Sequence, residues 1–115
     1  MKYFTMNEFK CPCCNQAIMD IKFLHKLEMA REMAGIPFVI NSGFRCPSHN
    51  KLVGGSSNSS HLKGIAADIA IKNSTDRRKI LIALLTCFNR IGIGGTFIHV
   101  DIDETKNPNV VWVYN

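Results

Sequence analysis

Four histidines and nine carboxylates, with five cysteines, are the side chains best suited to metal binding and to proton transfer near neutral pH in this chain of 115 residues. Two segments concentrate them. In Ile98-His99-Val100-Asp101-Ile102-Asp103, polar and apolar residues alternate strictly. On a strand, His99, Asp101 and Asp103 project to one face while Ile98, Val100 and Ile102 enter the core. An ordinary edge strand with a wet face shows the same alternation, so this segment alone leaves the choice open. The second segment, Ser59-Ser60-His61-Leu62-Lys63-Gly64-Ile65-Ala66-Ala67-Asp68, sets His61 in a polar loop and Asp68 on the polar side of an otherwise apolar strand. Burying a carboxylate there is costly unless a cation pairs with it. His61, Asp68 and His99 together supply two imidazoles and one carboxylate, the ligand set of a catalytic zinc site that keeps a fourth position open for water. Such a metal polarises a carbonyl and lowers the pKa of its water to about 7. Each residue alone has a mundane explanation, a loop histidine or a salt-bridged aspartate. The three together, with Gly64 permitting a tight entry turn, point to a metal.

The elements that must position these groups are legible in outline. Met19 to Ala34 reads as a helix, with Ile21, Leu24, Leu27, Met29 and Met33 apolar and charged residues between them. Gly35 and Pro37 stop it. Phe38-Val39-Ile40 is a short β-prone run. Residues 47–60, rich in Pro, Ser, Asn and Gly, read as a site loop, because the chain is too short for this to be a linker between two domains. Ile65 to Ile71 reads as a strand, and Asn73-Ser74-Thr75-Asp76 as the cap of a second helix running from Asp76 to Asn89. Gly92, Gly94 and Gly95 read as chain breakers. Phe97 to Asp103 and Val110 to Tyr114 read as strands. Interspersed helices and strands predict an α+β fold with helices against an antiparallel sheet, in one domain spanning residues 1–115.

Composition narrows the classes. With 46% hydrophobic and 20% charged residues, wholesale disorder is excluded. No apolar run approaches the roughly 20 residues of a membrane span, and no secretory leader is visible at the start. The net charge of +5 is spread out, with no run longer than Arg77-Arg78-Lys79, so a nucleic-acid partner is not expected. Five cysteines cannot all pair within one chain. Cys11-x-Cys13-Cys14 is reminiscent of a zinc knuckle, but no second Cys-x-x-Cys hook accompanies it. Reduced, packed thiols are therefore expected, with one bridge from this cluster to Cys46 left open.

Several motifs together resemble a known family. Ser42-Gly43-Phe44-Arg45-Cys46-Pro47, His49-Asn50, Val53-Gly54-Gly55, Ser59-x-His61-x-x-Gly64-x-Ala66-x-Asp68-Ile69 and His99-Val100-Asp101 resemble the zinc D-alanyl-D-alanine carboxypeptidases. That family includes phage-type L-alanyl-D-glutamate endopeptidases that cut cell-wall peptides. The opening Met6-Asn7-Glu8-Phe9-Lys10-Cys11-Pro12-Cys13-Cys14 is similar to that of its small single-domain members, so the resemblance runs from about residue 5 to residue 103.

The resemblance implies a hedgehog/DD-peptidase-like fold and a monomer that takes a peptidoglycan peptide as substrate. It implies that His61, Asp68 and His99 hold Zn2+. Arg45 would face the substrate, holding a carboxylate bidentately or stabilising an oxyanion. Ser59 would hydrogen-bond substrate or the site loop. Many relatives place Glu or Asp three residues before the last ligand, where this chain has Thr96. The acid left for proton work is Asp101, which either activates water or orients His99. Asp103 and His49 are further, weaker candidates. Lacking a leader, the protein is expected to be made in the cytoplasm and to reach the cell wall by release or through another factor. A mild positive surface is compatible with an acidic wall polymer.

Overall fold

The computed structural model describes residues 1–115. Five strands form one sheet: β1 (Ile40–Ser42), β2 (Ala66–Ala70), β3 (Arg90–Ile93), β4 (Phe97–Asp101) and β5 (Val110–Val113). The helices are α1 (Ile21–Ala34), α2 (Pro47–Leu52) and α3 (Ser74–Cys87), with 3-10 turns at Met6–Phe9 and Ser60–Lys63. The fold is α+β.

The strand order is β1-β2-β4-β3-β5. Every neighbouring pair is antiparallel except β3 and β5, which run parallel. The sheet is thus mixed, where an antiparallel one was expected. The cause is connectivity. β4 ends beside the start of β3, and residues 102–109 step across that end of the sheet. β5 then begins opposite Arg90 and must run the same way as β3.

The two long helices cover one face of the sheet. Asp20 caps α1 by accepting from Phe23 N at 3.0 Å, and Gly35, at φ 71°, ends it in the left-handed conformation that glycine adopts freely. Asn73 caps α3 by accepting from Asp76 N at 2.8 Å, so α3 starts two residues earlier than its sequence suggested. The buried stripe of α1 is Phe23, Leu24, Leu27 and Ala30. Ile21, Met29 and Met33, read as part of the apolar pattern, are 80%, 49% and 53% exposed. Spacing of i, i+1, i+4 and i+7 sets this face, and Phe23 anchors it against Phe88 with ring centroids 5.8 Å apart. The stripe meets Ile80, Ala83 and Leu84 of α3 and Ala67, Ile69, Ile91, Ile98 and Val100 of the sheet in one cluster.

Because side chains alternate along strands, the opposite face of the sheet is left for other work. The register places Ser42, Asp68, His99, Gly92 and Trp112 in one row across all five strands. Gly92 is therefore a strand residue, not a breaker. A Cβ there would lie 2.6 Å from the Trp112 and Tyr114 rings, so only glycine lets β5 lean its aromatics over β3.

Candidate metal centre

His61 reaches the row from the 3-10 turn at 60–63. Ser59 caps this turn by accepting from His61 N at 3.3 Å, and Gly64, at φ 69°, ends it. Glycine is required there twice over, because a Cβ would also meet Ile18 O at 2.0 Å. The tight turn brings His61 down over β2. Its Nε2 lies 3.3 Å from Asp68 Oδ1, and His99 Nδ1 lies 2.8 Å from the same oxygen. One donor atom from each of His61, Asp68 and His99 falls within 4.8 Å of the others.

The outer nitrogens settle which ring atoms face this point. His61 Nδ1 is 2.7 Å from Gly43 O. A carbonyl only accepts, so Nδ1 carries the proton and Nε2 presents a lone pair. His99 Nε2 is 2.8 Å from Asp101 Oδ2 and donates to it, so the neutral ring presents its Nδ1 lone pair. Two lone pairs and a carboxylate oxygen converge with no fixed donor between them. A cation is what such a set lacks, and the donor types, two imidazoles and one carboxylate, suit zinc.

Protons partly fill that role in the metal-free protein. Burial opposes charging Asp68, but hydrogen bonds from His61 and His99 outweigh it and hold the carboxyl well below the usual range. Burial likewise opposes charging His99, yet Asp101 and Asp68 on either side raise its affinity for a proton. A metal ion would displace that proton.

Asp101 is 1% exposed and saturated. Besides His99, it accepts from Arg90 Nε at 2.7 Å and from Asp103 N at 3.0 Å, both at Oδ1. Burial pushes its pKa up, and His99 and Arg90 more than offset that. Asp103 faces away from the metal point. It accepts from Ser60 Oγ at 2.7 Å and Thr105 Oγ1 at 2.6 Å, and pairs with Lys63 and Lys106. It ties the 3-10 turn to the segment after β4.

Arg45 enters from the loop after β1. Its Nε donates to Ser42 Oγ at 3.0 Å, one terminal nitrogen to Asn50 Oδ1 at 3.3 Å, and the other to Asp68 Oδ2 at 3.4 Å. The guanidinium is thus fixed beside the metal point at the wall of an open cleft of about 380 Å³, which His61, Asp68, His99, Asp101 and Ser59 also line. His49 lies on α2 outside that lining, and Thr96 is exposed. No carboxylate other than Asp68 and Asp101 lines the cleft.

Arg90, Trp112 and Tyr114 are among the lining residues that escaped sequence reasoning. The Trp112 ring sits 5.6 Å from His99, Tyr114 packs 6.2 Å from Trp112, and the Arg90 guanidinium lies 5.0 Å over the Trp112 ring. The alternation Val111-Trp112-Val113-Tyr114 was a usable signal for two of them, since it puts both aromatics on one strand face.

Cys11, Cys14 and Cys46 form a second group, with Cys13 on the same loop as Cys11 and Cys14. All are reduced. Only Cys11 is fully buried, while Cys13 and Cys14 are exposed, so the expectation of packed thiols holds for Cys11 alone.

No curated protein matches this sequence. The family model for Peptidase M15 matches residues 2–103, and the chain belongs to that family of zinc peptidases, which takes in the D-alanyl-D-alanine carboxypeptidases and phage endopeptidases.

Proposed function

We propose that this chain is a zinc-dependent peptidase that hydrolyses peptidoglycan stem peptides at the bacterial cell wall, by D-Ala-D-Ala carboxypeptidase or L-Ala-D-Glu endopeptidase action. The observation that carries the reading is the convergence of His61, Asp68 and His99 on one point within 4.8 Å, beside a fixed guanidinium. Those three side chains would hold the zinc, which when bound supplies a Lewis acid for the scissile carbonyl and acidifies water.

The chain's own residues do the rest. Gly43 O and Asp101 fix the tautomers of His61 and His99. Arg45 offers two terminal nitrogens to a substrate carboxylate or a developing oxyanion. Asp101 keeps the proton on His99 Nε2, and with three donors on its two oxygens it acts as a positioning residue. Ser59 shapes the loop by capping the His61 turn. Trp112 and Tyr114 give the substrate an apolar wall.

Incubating zinc-loaded protein with defined muropeptides and weighing the products by mass spectrometry tests the activity and identifies the bond cut. No product from any fragment would refute it. Equal zinc content in the unmodified protein and an Asp68→Ala variant would sink the ligand assignment.

A second reading has its own support. Thr96 stands where many relatives carry an acid, and both Asp101 oxygens are occupied. These favour a zinc domain that binds wall peptide or a protein partner without cleaving. Saturable binding of muropeptides with no products would establish it.

A further inference from the structure

We propose that Cys11, Cys13, Cys14 and Cys46 form a structural zinc site, separate from the His61 set, that staples the N-terminal turn to the segment carrying Arg45. The Sγ atoms of Cys11, Cys14 and Cys46 all lie within 4.8 Å of one another. Cys11 Sγ and Cys46 Sγ are 3.7 Å apart. A disulfide needs about 2.05 Å. In tetrahedral zinc thiolate, with Zn–S of about 2.3 Å, neighbouring sulfurs sit about 3.8 Å apart. The observed separation matches the second. Cys13, exposed on the same loop and outside that set, is the remaining thiol of the loop that would complete the four-coordinate shell on binding.

The backbone is shaped for thiolates. Asn15 N donates to Cys11 O at 2.8 Å and Cys11 N to Gln16 O at 2.8 Å. Asn15, at φ 61°, turns the chain back on itself. This closed loop brings Cys14 back beside Cys11. Amide groups are aimed at sulfur, with Cys46 N 3.5 Å from Cys11 Sγ and His49 N 3.5 Å from Cys46 Sγ. Such N–H···S bonds favour the anionic sulfur that zinc requires. On binding, each thiol releases its proton to solvent and the sulfur donates its electron pair to the metal, with no change of oxidation state. Soft thiolates select zinc over magnesium or calcium.

The location gives the site a use. Cys46 follows Arg45 directly. Phe44 N donates to Phe9 O at 2.9 Å, and Arg45 N to His61 O at 3.2 Å. A Cβ on Gly43 would meet Phe9 backbone at 2.7 Å. Gly43 O in turn holds His61 Nδ1. A metal joining residues 11–14 to Cys46 therefore clamps the backbone that orients both the guanidinium and one imidazole of the candidate active site.

Cobalt(II) titration of the reduced, metal-free protein tests this without any substitution. A thiolate-to-cobalt charge-transfer band in the near ultraviolet is expected. It should persist in Asp68→Ala, where only the thiolate site remains intact, and vanish in a Cys14→Ser/Cys46→Ser variant. Zinc content should be two per chain, falling to one in either variant. No charge-transfer band in the unmodified protein would overturn the proposal, as would a Cys11–Cys46 disulfide recovered from protein kept under reductant. Zinc lost from the cysteine variant and unchanged in Asp68→Ala would instead sink the His61 set and leave this site standing.

Discussion

Replacing Asp101 by asparagine tests whether a carboxylate behind His99 sets up the metal point. The change keeps shape and removes charge. An asparagine has one acceptor oxygen and one donor nitrogen. If the oxygen faces His99 Nε2, the amide N–H groups confront Arg90 Nε and Asp103 N, which are donors too. If the amide flips, its N–H faces His99 Nε2 and drives the ring proton to Nδ1, onto the metal point. Either orientation breaks one side of the network. Loss of such a supporting partner lowers metal affinity roughly 10- to 100-fold, about 1.4–2.7 kcal/mol. Folding suffers separately. Arg90 is 8% exposed, and stranding one member of a buried ion pair costs about 3–5 kcal/mol. The lower end applies, because Arg90 also donates to Asn107 O and stacks on Trp112. Competition with a chromophoric chelator gives the zinc affinity, and urea unfolding of metal-free protein gives the stability. Zinc affinity within twofold of the unmodified protein, with stability unchanged, would refute the reasoning.

Three further outcomes are expected. Asp103→Asn should destabilise the protein by about 1–2 kcal/mol at neutral pH, since the buried carboxylate loses its charge-assisted hydrogen bonds while Lys63 and Lys106 stay partly open to solvent. Burial acts to raise the Asp103 pKa, but hydrogen bonds from Thr105, Ser60 and Lys63 hold it below the ordinary range. The folded state therefore releases this proton more readily than the unfolded state. The stabilisation is complete above about pH 4 and decays as pH falls further, which urea melts at several pH values will show as a gap between variant and parent that narrows only in acid. Gly92→Ala should cost about 1–3 kcal/mol by overpacking against Trp112 and Tyr114 and should raise KM for muropeptides more than it changes zinc content; a variant as stable as the parent would contradict the close approach. Trp112 is the chain's single tryptophan, so zinc added to metal-free protein should shift its fluorescence, and the shift should disappear in His99→Ala.

The convergence of His61, Asp68 and His99 was legible because its signals are local. Strict alternation in 98–101 fixes which residues share a face, although the strand ends at Asp101 and Asp103 turns away from His99, and one carboxylate in an apolar strand demands a partner. The two-strand core of the site, β2 against β4, follows from such patterns. What stayed hidden depends on pairing between distant segments. β3 was missed because Gly92 has no side chain to pattern, and its place between His99 and Trp112 is set by the sheet alone. The saturation of Asp101 needed Arg90, eleven residues earlier, to lie on the adjacent strand. α2 was hidden in the polar stretch 47–60, where Pro47 opens a helix too short to show a period. On α1, Ile21 and Met33 looked like core by type, but the stripe through Phe23 and Ala30 is the one the sheet faces.

The row across the sheet has a consequence for how this chain tolerates change. His99 faces the metal point and its neighbours Ile98 and Val100 face the core only because of a step of two. Deleting one residue inside Phe97–Asp101 would exchange the faces, placing isoleucine in the cleft and imidazole among the phenylalanines, and neither half could be repaired by a second nearby substitution. The connection at 102–109 carries no such parity. Length variation should therefore be absorbed there and forbidden in β4, so the strand behaves as a reading frame for the site while the crossing loop beside it is free to be rewritten.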